Sequence, residues 1–269
     1  MKLAGVMGWP VAHSRSPALH GWWLRRYGID GAYVPLAVRP ERLEQAIRAL
    51  PALGFAGCNV TIPHKEAALR IVDRVDATAQ RIGAVNTIVV GPDGSLSGSN
   101  TDAFGFAESL GPEWRADAGP AVVMGAGGAA RAVVVALADR GAPEIRIVNR
   151  TLARAEALAA ELGGRAVPWD RRETALEGAA LLVNATSQGM TGQLPLDLSL
   201  ERLPTSATVV DTVYVPLETP LLAAARARGN RAVDGLGMLL HQARPGFEAW
   251  FGVAPEVTPA LREAIEATL

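Results

Sequence analysis

The sequence predicts a two-domain α/β protein whose second domain is a doubly wound, mostly parallel sheet, and three observations lead there. At 269 residues the chain is long for one hydrophobic core. Short β-like runs alternate with amphipathic helical stretches through most of its length. Near the middle, the apolar run Ala121-Val122-Val123-Met124 passes through the glycine turn Gly125-Ala126-Gly127-Gly128 into a helical stretch, which is a βα unit.

In chain order, Val6-Met7 and Tyr33-Val34-Pro35-Leu36 read as strands, and Glu41 to Leu50 as a helix with Leu43, Ala46, Ile47 and Leu50 on one face. Val85 to Val90 and Leu96 flank Gly91-Pro92-Asp93-Gly94, a turn sequence that makes a hairpin. The second series starts with the strand at Ala121 and continues as a helix from Ala132 to Asp139. A strand Glu144 to Val148, a helix Leu152 to Leu162, and strands Leu181 to Val183 and Thr208 to Asp211 complete it. The last two helices, Met238 to Trp250 and Thr258 to Leu269, have no strand after them and are expected to return to the first domain. The domains are therefore expected at 1–102 plus 236–269 and at 103–235.

Composition narrows the function classes. A net charge of −1 gives no basic field for nucleic acid or anionic lipid, so the expected partner is a small molecule. No apolar run approaches the length of a membrane span, and the N-terminus lacks a signal-like apolar region, so a cytoplasmic protein is expected. Nothing in the sequence separates a monomer from a homodimer. Cys58, the single cysteine, excludes an internal disulfide framework and a multi-thiolate metal site. The four histidines show no zinc-type spacing, and no metal is expected.

Gly125, Gly127 and Ala130 fit G-x-G-x-x-G/A, where small residues permit the tight turn, the approach of a pyrophosphate and close helix packing. The helix behind them presents free N–H groups and a positive dipole end. At the end of the next strand an NAD site places a carboxylate for the ribose 2′-hydroxyl. This chain has Asn149-Arg150-Thr151 and then Arg154, with no carboxylate until Glu156. Two arginines one helical turn apart suit a 2′-phosphate, with Asn149 and Thr151 donating hydrogen bonds, so the expected cofactor is NADP. The plain alternative is a solvated helix start, which a positive dipole end disfavours without an anion.

Two polar clusters stand out in the first domain. In His13-Ser14-Arg15-Ser16-Pro17 the Ser14 and Ser16 hydroxyls suit a carboxylate, although Ser16-Pro17 reads equally as a helix cap followed by proline. Asn59-Val60-Thr61-Ile62-Pro63-His64-Lys65 ends a strand and begins a helix. Of 26 basic residues only Lys2 and Lys65 are lysine, and lysine, unlike arginine, can release its proton near neutral pH. Asn100-Thr101-Asp102 follows the hairpin, where Asp102 also suits a cap for a helix starting at Ala103. Ketone reduction by a nicotinamide needs a donor at the carbonyl oxygen, where hydride arrival creates alkoxide charge, and a Lys65–Asp102 pair supplies it. A Ser14–His13 nucleophile is disfavoured because adjacent side chains point apart.

These clusters, together with Gly8-Trp9-Pro10, Gly83-Ala84-Val85-Asn86-Thr87, Asn184-Ala185-Thr186-Ser187-Gln188-Gly189-Met190 and Asp234-Gly235-Leu236-Gly237-Met238 with Gln242, resemble the shikimate dehydrogenase family in order from end to end. The resemblance implies an N-terminal α/β substrate domain and a Rossmann-type NADP domain. It implies reversible, NADP-dependent reduction of 3-dehydroshikimate to shikimate, in the chorismate route to aromatic amino acids. It further implies Lys65 and Asp102 as the catalytic pair, with Ser14, Ser16, Thr61, Asn86, Tyr214 and Gln242 around the substrate. NADP contacts are implied for Gly125, Ala126, Gly127, Gly128, Ala129, Asn149, Arg150, Thr151, Arg154, Thr212 and Gly235. One departure is His20-Gly21 before Trp22 and Trp23, where the family often shows His-Asn. The alternatives are a quinate or dual quinate/shikimate dehydrogenase, and a non-catalytic regulator that would lack the Lys-Asp pair.

Overall fold

The computed structural model describes residues 1–269, which divide into one unit of Met1–Thr101 with Leu240–Leu269 and a second of Asp102–Leu239. In the first unit the elements run β1 (Lys2–Gly8), α1 (Ser16–Arg26), β2 (Gly31–Ala37), α2 (Leu43–Ala49), β3 (Phe55–Val60), α3 (Lys65–Ile71), β4 (Arg74–Val75), α4 (Ala77–Ile82), β5 (Thr87–Val90) and β6 (Leu96–Ser99). The six strands form one sheet in the order β2-β1-β3-β5-β6-β4. β1 is parallel to both neighbours, whereas β5 runs antiparallel to β3 and to β6, the latter because a tight turn returns the chain at once. Asp93 closes that turn by accepting from both the amide and the hydroxyl of Ser95. Met7, Ile47, Val60 and Ile88 fill the core beneath the sheet, and Cys58 is buried among them with its thiol pushed up to about 12 by burial. It is a core residue rather than a nucleophile.

The second unit begins with α5 (Asp102–Ser109) and continues as β7 (Ala121–Met124), α6 (Gly128–Asp139), β8 (Ile145–Val148), α7 (Leu152–Leu162), β9 (Arg165–Val167), β10 (Leu181–Asn184), β11 (Thr208–Asp211), α8 (Pro220–Ala227) and β12 (Arg231–Val233). All neighbours are parallel, in the order β12-β11-β10-β7-β8-β9. Strand order reverses between β7 and β10, the switch point at which such sheets open a crevice at their carboxyl ends. β7, β10 and β11 are buried along their whole length, as central parallel strands covered on both faces must be. α6 starts at Gly128, ahead of the expected Ala132. Gly127 already takes the extended capping conformation, and Gly128 to Arg131 wind into the first turn.

The chain then runs through α9 (Gly235–Phe251) to α10 (Pro259–Glu266); residues from Leu240 onward belong to the first unit, four residues past the expected start at 236, and Asp102 falls in the second. The Trp250 indole donates to the Ile88 carbonyl at 3.0 Å. It reaches that strand across Gly57, where a Cβ would lie 2.1 Å from the carbonyl and 2.3 Å from the indole nitrogen, so only glycine admits it. Trp23 on α1 donates to the Glu256 carbonyl at 3.0 Å, and Thr258 caps α10 through the Leu261 amide. α1 is unbroken through Gly21, so the departure from His-Asn leaves the helix regular.

Between these elements lies an aromatic box. The His20 ring is stacked on Tyr33 at 3.9 Å with planes 4° apart, and Trp23, Phe247 and Trp250 surround it. Neither ring nitrogen has a hydrogen-bond partner, and burial lowers the His20 pKa from its ordinary 6.5 to about 3. The unfolded chain therefore takes up a proton below about pH 6.5 that the folded chain refuses. Stability falls with pH from there toward about 3, by up to about 1.4 kcal/mol per unit. His20→Phe keeps the stacked ring and should match the parent at neutral pH to within about 1.5 kcal/mol. Urea unfolding between about pH 7.5 and 4.5, a range that spans the ordinary histidine pKa, should show a shallower acid loss in the variant. Identical pH slopes would mean that His20 is not held neutral.

Candidate active site

In the second unit β7 ends at Met124 and the chain turns at Gly125, whose φ of +112° favours glycine and whose amide donates to the Val148 carbonyl at 2.7 Å. A Cβ on Gly127 or Gly128 would meet nothing within 4 Å. These two positions face open space at the start of a twelve-residue helix, so their bare backbone leaves room for a diphosphate against the α6 N-terminus. The adjoining pocket, about 240 Å³, is lined by Gly125, Gly127, Asn149, Arg150, Trp169 and the Ala185–Gln188 turn. Its size suits a nucleoside-sized group. Gly128 and Ala129 open α6, and Ala126 lies in the turn itself.

Arg150 and Arg154 are both exposed at the start of α7. Nearby arginines are engaged by carboxylates: Arg131 by Glu161, Arg146 and Arg165 by Glu144, and Arg172 by Asp197. No carboxylate pairs with Arg150 or Arg154, which leaves two guanidinium groups available for a dianion at the end of β8. The Asn149 amide braces this corner by donating to the Thr151 carbonyl at 2.9 Å. Thr151 stands at the N-cap of α7, and its hydroxyl makes no capping bond there.

A bracket the sequence did not reveal holds the neighbouring loops. Asn184, at the end of β10, accepts from the Thr186 amide and hydroxyl and donates to the Gln188 carbonyl and to Asp211. Asp211, at the end of β11, also accepts from the Thr219 hydroxyl at 2.7 Å and the Val213 amide at 3.0 Å. Burial pushes its carboxyl pKa up, and the three hydrogen bonds oppose that shift. Thr212 donates through both amide and hydroxyl to the Asn184 carbonyl, and the Gly235 amide donates to the Val213 carbonyl at 3.1 Å. Tyr214, in the same loop, is half-buried.

In the first unit a buried polar network occupies the carboxyl ends of β3 and β6. The Tyr33 hydroxyl donates to Asn59 Oδ1 at 2.6 Å, and buried Ser16 lies beside the same phenol. Burial, foremost, holds the phenol pKa well above its ordinary value. Asn59 Nδ2 donates to the Asn86 carbonyl and the Thr87 hydroxyl, both at 3.1 Å. Asn86 Oδ1 accepts from the Thr101 amide at 2.9 Å and the Thr87 hydroxyl at 2.9 Å, while its Nδ2 donates to Thr101 Oγ1 at 3.1 Å. Thr101 Oγ1 approaches Gln242 Oε1 at 3.5 Å, the limit of a hydrogen bond.

The structure thus connects Asn86 and Gln242 with Tyr33, Asn59 and Thr101, three residues not singled out from sequence as site positions, and leaves Ser16 at the edge of the network. Asn59 and Thr101 lie inside the quoted motifs, and a polar residue at a strand end in such a block is the available signal. Ser16 is not the helix cap: Arg15 holds that position, Ser16 opens the helix, and its amide donates to Ser14 Oγ at 3.3 Å. Thr61 donates its amide to the Met7 carbonyl. Half-buried Lys65 opens α3, and buried Asp102 opens α5, just ahead of the expected helix start at Ala103.

A glycine cradle at a helix N-terminus, two free arginines at the next strand end and a separate unit rich in short polar side chains define an NADP-dependent oxidoreductase. Three family descriptions match the chain: the shikimate dehydrogenase substrate binding domain over residues 6–88, shikimate / quinate 5-dehydrogenase over 110–191, and the shikimate 5′-dehydrogenase C-terminal domain over 235–266. A shikimate dehydrogenase (NADP(+)) from Paramagnetospirillum magneticum is 65% identical over 97% of this chain and 96% of its own. The shikimate 5-dehydrogenase from Thermus thermophilus, solved in complex with NADP(H) and shikimate, superposes with a TM-score of 0.91 at 42% identity and covers all of both chains. The quinate dehydrogenase from Corynebacterium glutamicum, in complex with NAD, gives 0.92 at 32% identity over 99% of each chain. The chain belongs to the shikimate dehydrogenase family. No helix is long and apolar enough to cross a membrane.

Asn59 is the node of the first-unit network, because its truncation removes the acceptor of the Tyr33 hydroxyl and one donor each from the Asn86 carbonyl and the Thr87 hydroxyl, which keep the Val60 amide and Asn86 Oδ1 as partners. Asn59→Ala should therefore cost about 3 kcal/mol in denaturant unfolding. A loss below about 0.5 kcal/mol, the scale of a neutral surface change, would show that these groups find other partners.

Proposed function

We propose that this chain catalyses the reversible NADP-dependent reduction of 3-dehydroshikimate to shikimate, with residues 1–102 and 236–269 as substrate domain and 103–235 as NADP domain. The observation that carries the cofactor half is the Arg150–Arg154 pair without carboxylate partners beside the glycine cradle. The substrate half is supported by the buried hydroxyl and amide network, which suits a ring bearing one carboxylate and several hydroxyls. Ser14 and Ser16 receive the carboxylate, and Thr61, Asn86, Tyr214 and Gln242 bind ring hydroxyls. The Gly125–Ala129 turn holds the pyrophosphate, Asn149, Arg150, Thr151 and Arg154 hold the 2′-phosphate, and Thr212 and Gly235 bound the nicotinamide side.

When bound, the nicotinamide donates or accepts the hydride. Lys65 donates a proton to the substrate oxygen as alkoxide charge develops there and takes it back in the reverse direction. Asp102 orients the ammonium and accepts from a neighbouring substrate hydroxyl. Arginine cannot replace Lys65 in this role because it keeps its proton. The protein works in the cytoplasm as a monomer or homodimer, and its product feeds aromatic amino-acid synthesis.

Following the absorbance of the reduced cofactor with NADP or NAD against shikimate and quinate tests the proposal directly. Turnover with NADP and shikimate is expected, and faster turnover with NAD and quinate would establish the quinate reading. Replacing Arg150 and Arg154 together by Ala should erode the preference for NADP over NAD by roughly 1–3 kcal/mol. Unchanged discrimination would defeat the clamp. Lys65→Ala should lower kcat by about 10²–10⁴-fold with a much smaller change in shikimate affinity, and Lys65→Arg should rescue little. A Lys65→Arg enzyme as fast as the parent would show that charge alone suffices.

A further inference from the structure

Trp169 follows β9, the edge strand beyond β8, and is half-buried against the second unit's core. It is the one aromatic residue in a pocket otherwise lined by glycine backbone, amides, small hydroxyls and the Arg150 guanidinium. The Arg172 guanidinium lies 5.0 Å over its ring and is itself fixed. Arg172 donates to the Asp197 carbonyl at 2.8 Å, to the Asp197 carboxylate at 2.9 Å and to the Trp169 carbonyl at 3.1 Å. An indole held in this way cannot swing into solvent, so the surface it turns to the pocket is a fixed apolar wall.

The order of groups in the cofactor says what meets that wall. The Gly125–Gly127 turn takes the pyrophosphate, and the arginines at the end of β8 take the 2′-phosphate. The base carried by the ribose between those phosphates must then enter the pocket that Arg150 and Trp169 line together beside the cradle. A purine offers no charge there and needs a flat, polarisable partner. We infer that the Trp169 indole is the aromatic wall on which the adenine of the cofactor stacks, with Arg172 as the residue that positions it. This rests on the NADP reading above and extends it to one side chain and one ring.

The full-length protein tests the inference with adenosine 2′,5′-bisphosphate, which carries the base and the 2′-phosphate but no nicotinamide. Calorimetry on the parent should show binding, accompanied by quenching of tryptophan fluorescence. Trp169→Leu keeps apolar bulk against the core but offers no π-face, and should bind the probe about 5- to 100-fold more weakly. Trp169→Phe keeps a ring and should retain most of the affinity while losing the quenching. Thermal melts confirm that both variants are folded. Parent-like affinity in Trp169→Leu, or quenching that persists in Trp169→Phe, overturns the assignment of Trp169 while leaving the NADP site in place. A parent that fails to bind the probe at all overturns the NADP reading, and the stacking wall with it.

Discussion

The side-chain amides of Asn59 and Asn184 stand in equivalent places, at the carboxyl end of an inner strand in each unit, and both are buried. A buried amide must find partners for its carbonyl and its N–H groups or cost the fold their full desolvation. Each meets that requirement by binding a neighbouring strand and the chain just outside the sheet. Asn59 binds Tyr33, Thr87 and the Asn86 backbone, and Asn184 binds the Thr186–Gln188 turn and Asp211. Asn86 and the Thr186–Gln188 turn stand on segments anchored in this way. Their geometry follows from polar satisfaction as much as from the strands beneath.

The two units meet this constraint with different surroundings. In the first, the network borders an aromatic box in which His20 has no polar partner at all and stays neutral through burial. In the second, the polar bracket closes over an aliphatic parallel sheet, and Asp211 remains bonded on three sides in spite of its burial. Trp250 joins the C-terminal helix to the first-unit sheet through one indole bond that Gly57 makes room for. That bond, the Trp23–Glu256 bond and the place of Phe247 in the aromatic box together tie the chain's last residues to its first.

Much of the cofactor side is legible in the sequence, because its chemistry is local. The strand–turn–helix at Ala121 to Asp139 and the basic corner at Asn149 to Arg154 each lie within a few residues of sequence, so spacing alone carries their meaning. Edge strands β9 and β12 escape a sequence reading because three residues, Arg-Ala-Val in both, are too few to show a period. α6 starts earlier than its apolar pattern predicts because fingerprint glycines read as turn while the backbone already winds into helix.

The sequence by itself determined the α/β class, the parallel second sheet and the glycine turn through periodicity and short-range spacing, and its composition singled out the candidate lysine, while the remaining substrate positions came from resemblance to the family. Only the tertiary structure decided that Ser16 opens a helix that Arg15 caps, and that Tyr33, Asn59 and Thr101 connect the polar residues. The same holds for Trp169, which it placed under a clamped arginine beside the cradle. Those partners mostly lie far apart along the chain, and a hydrogen bond depends on where strands end in space, which no local pattern records.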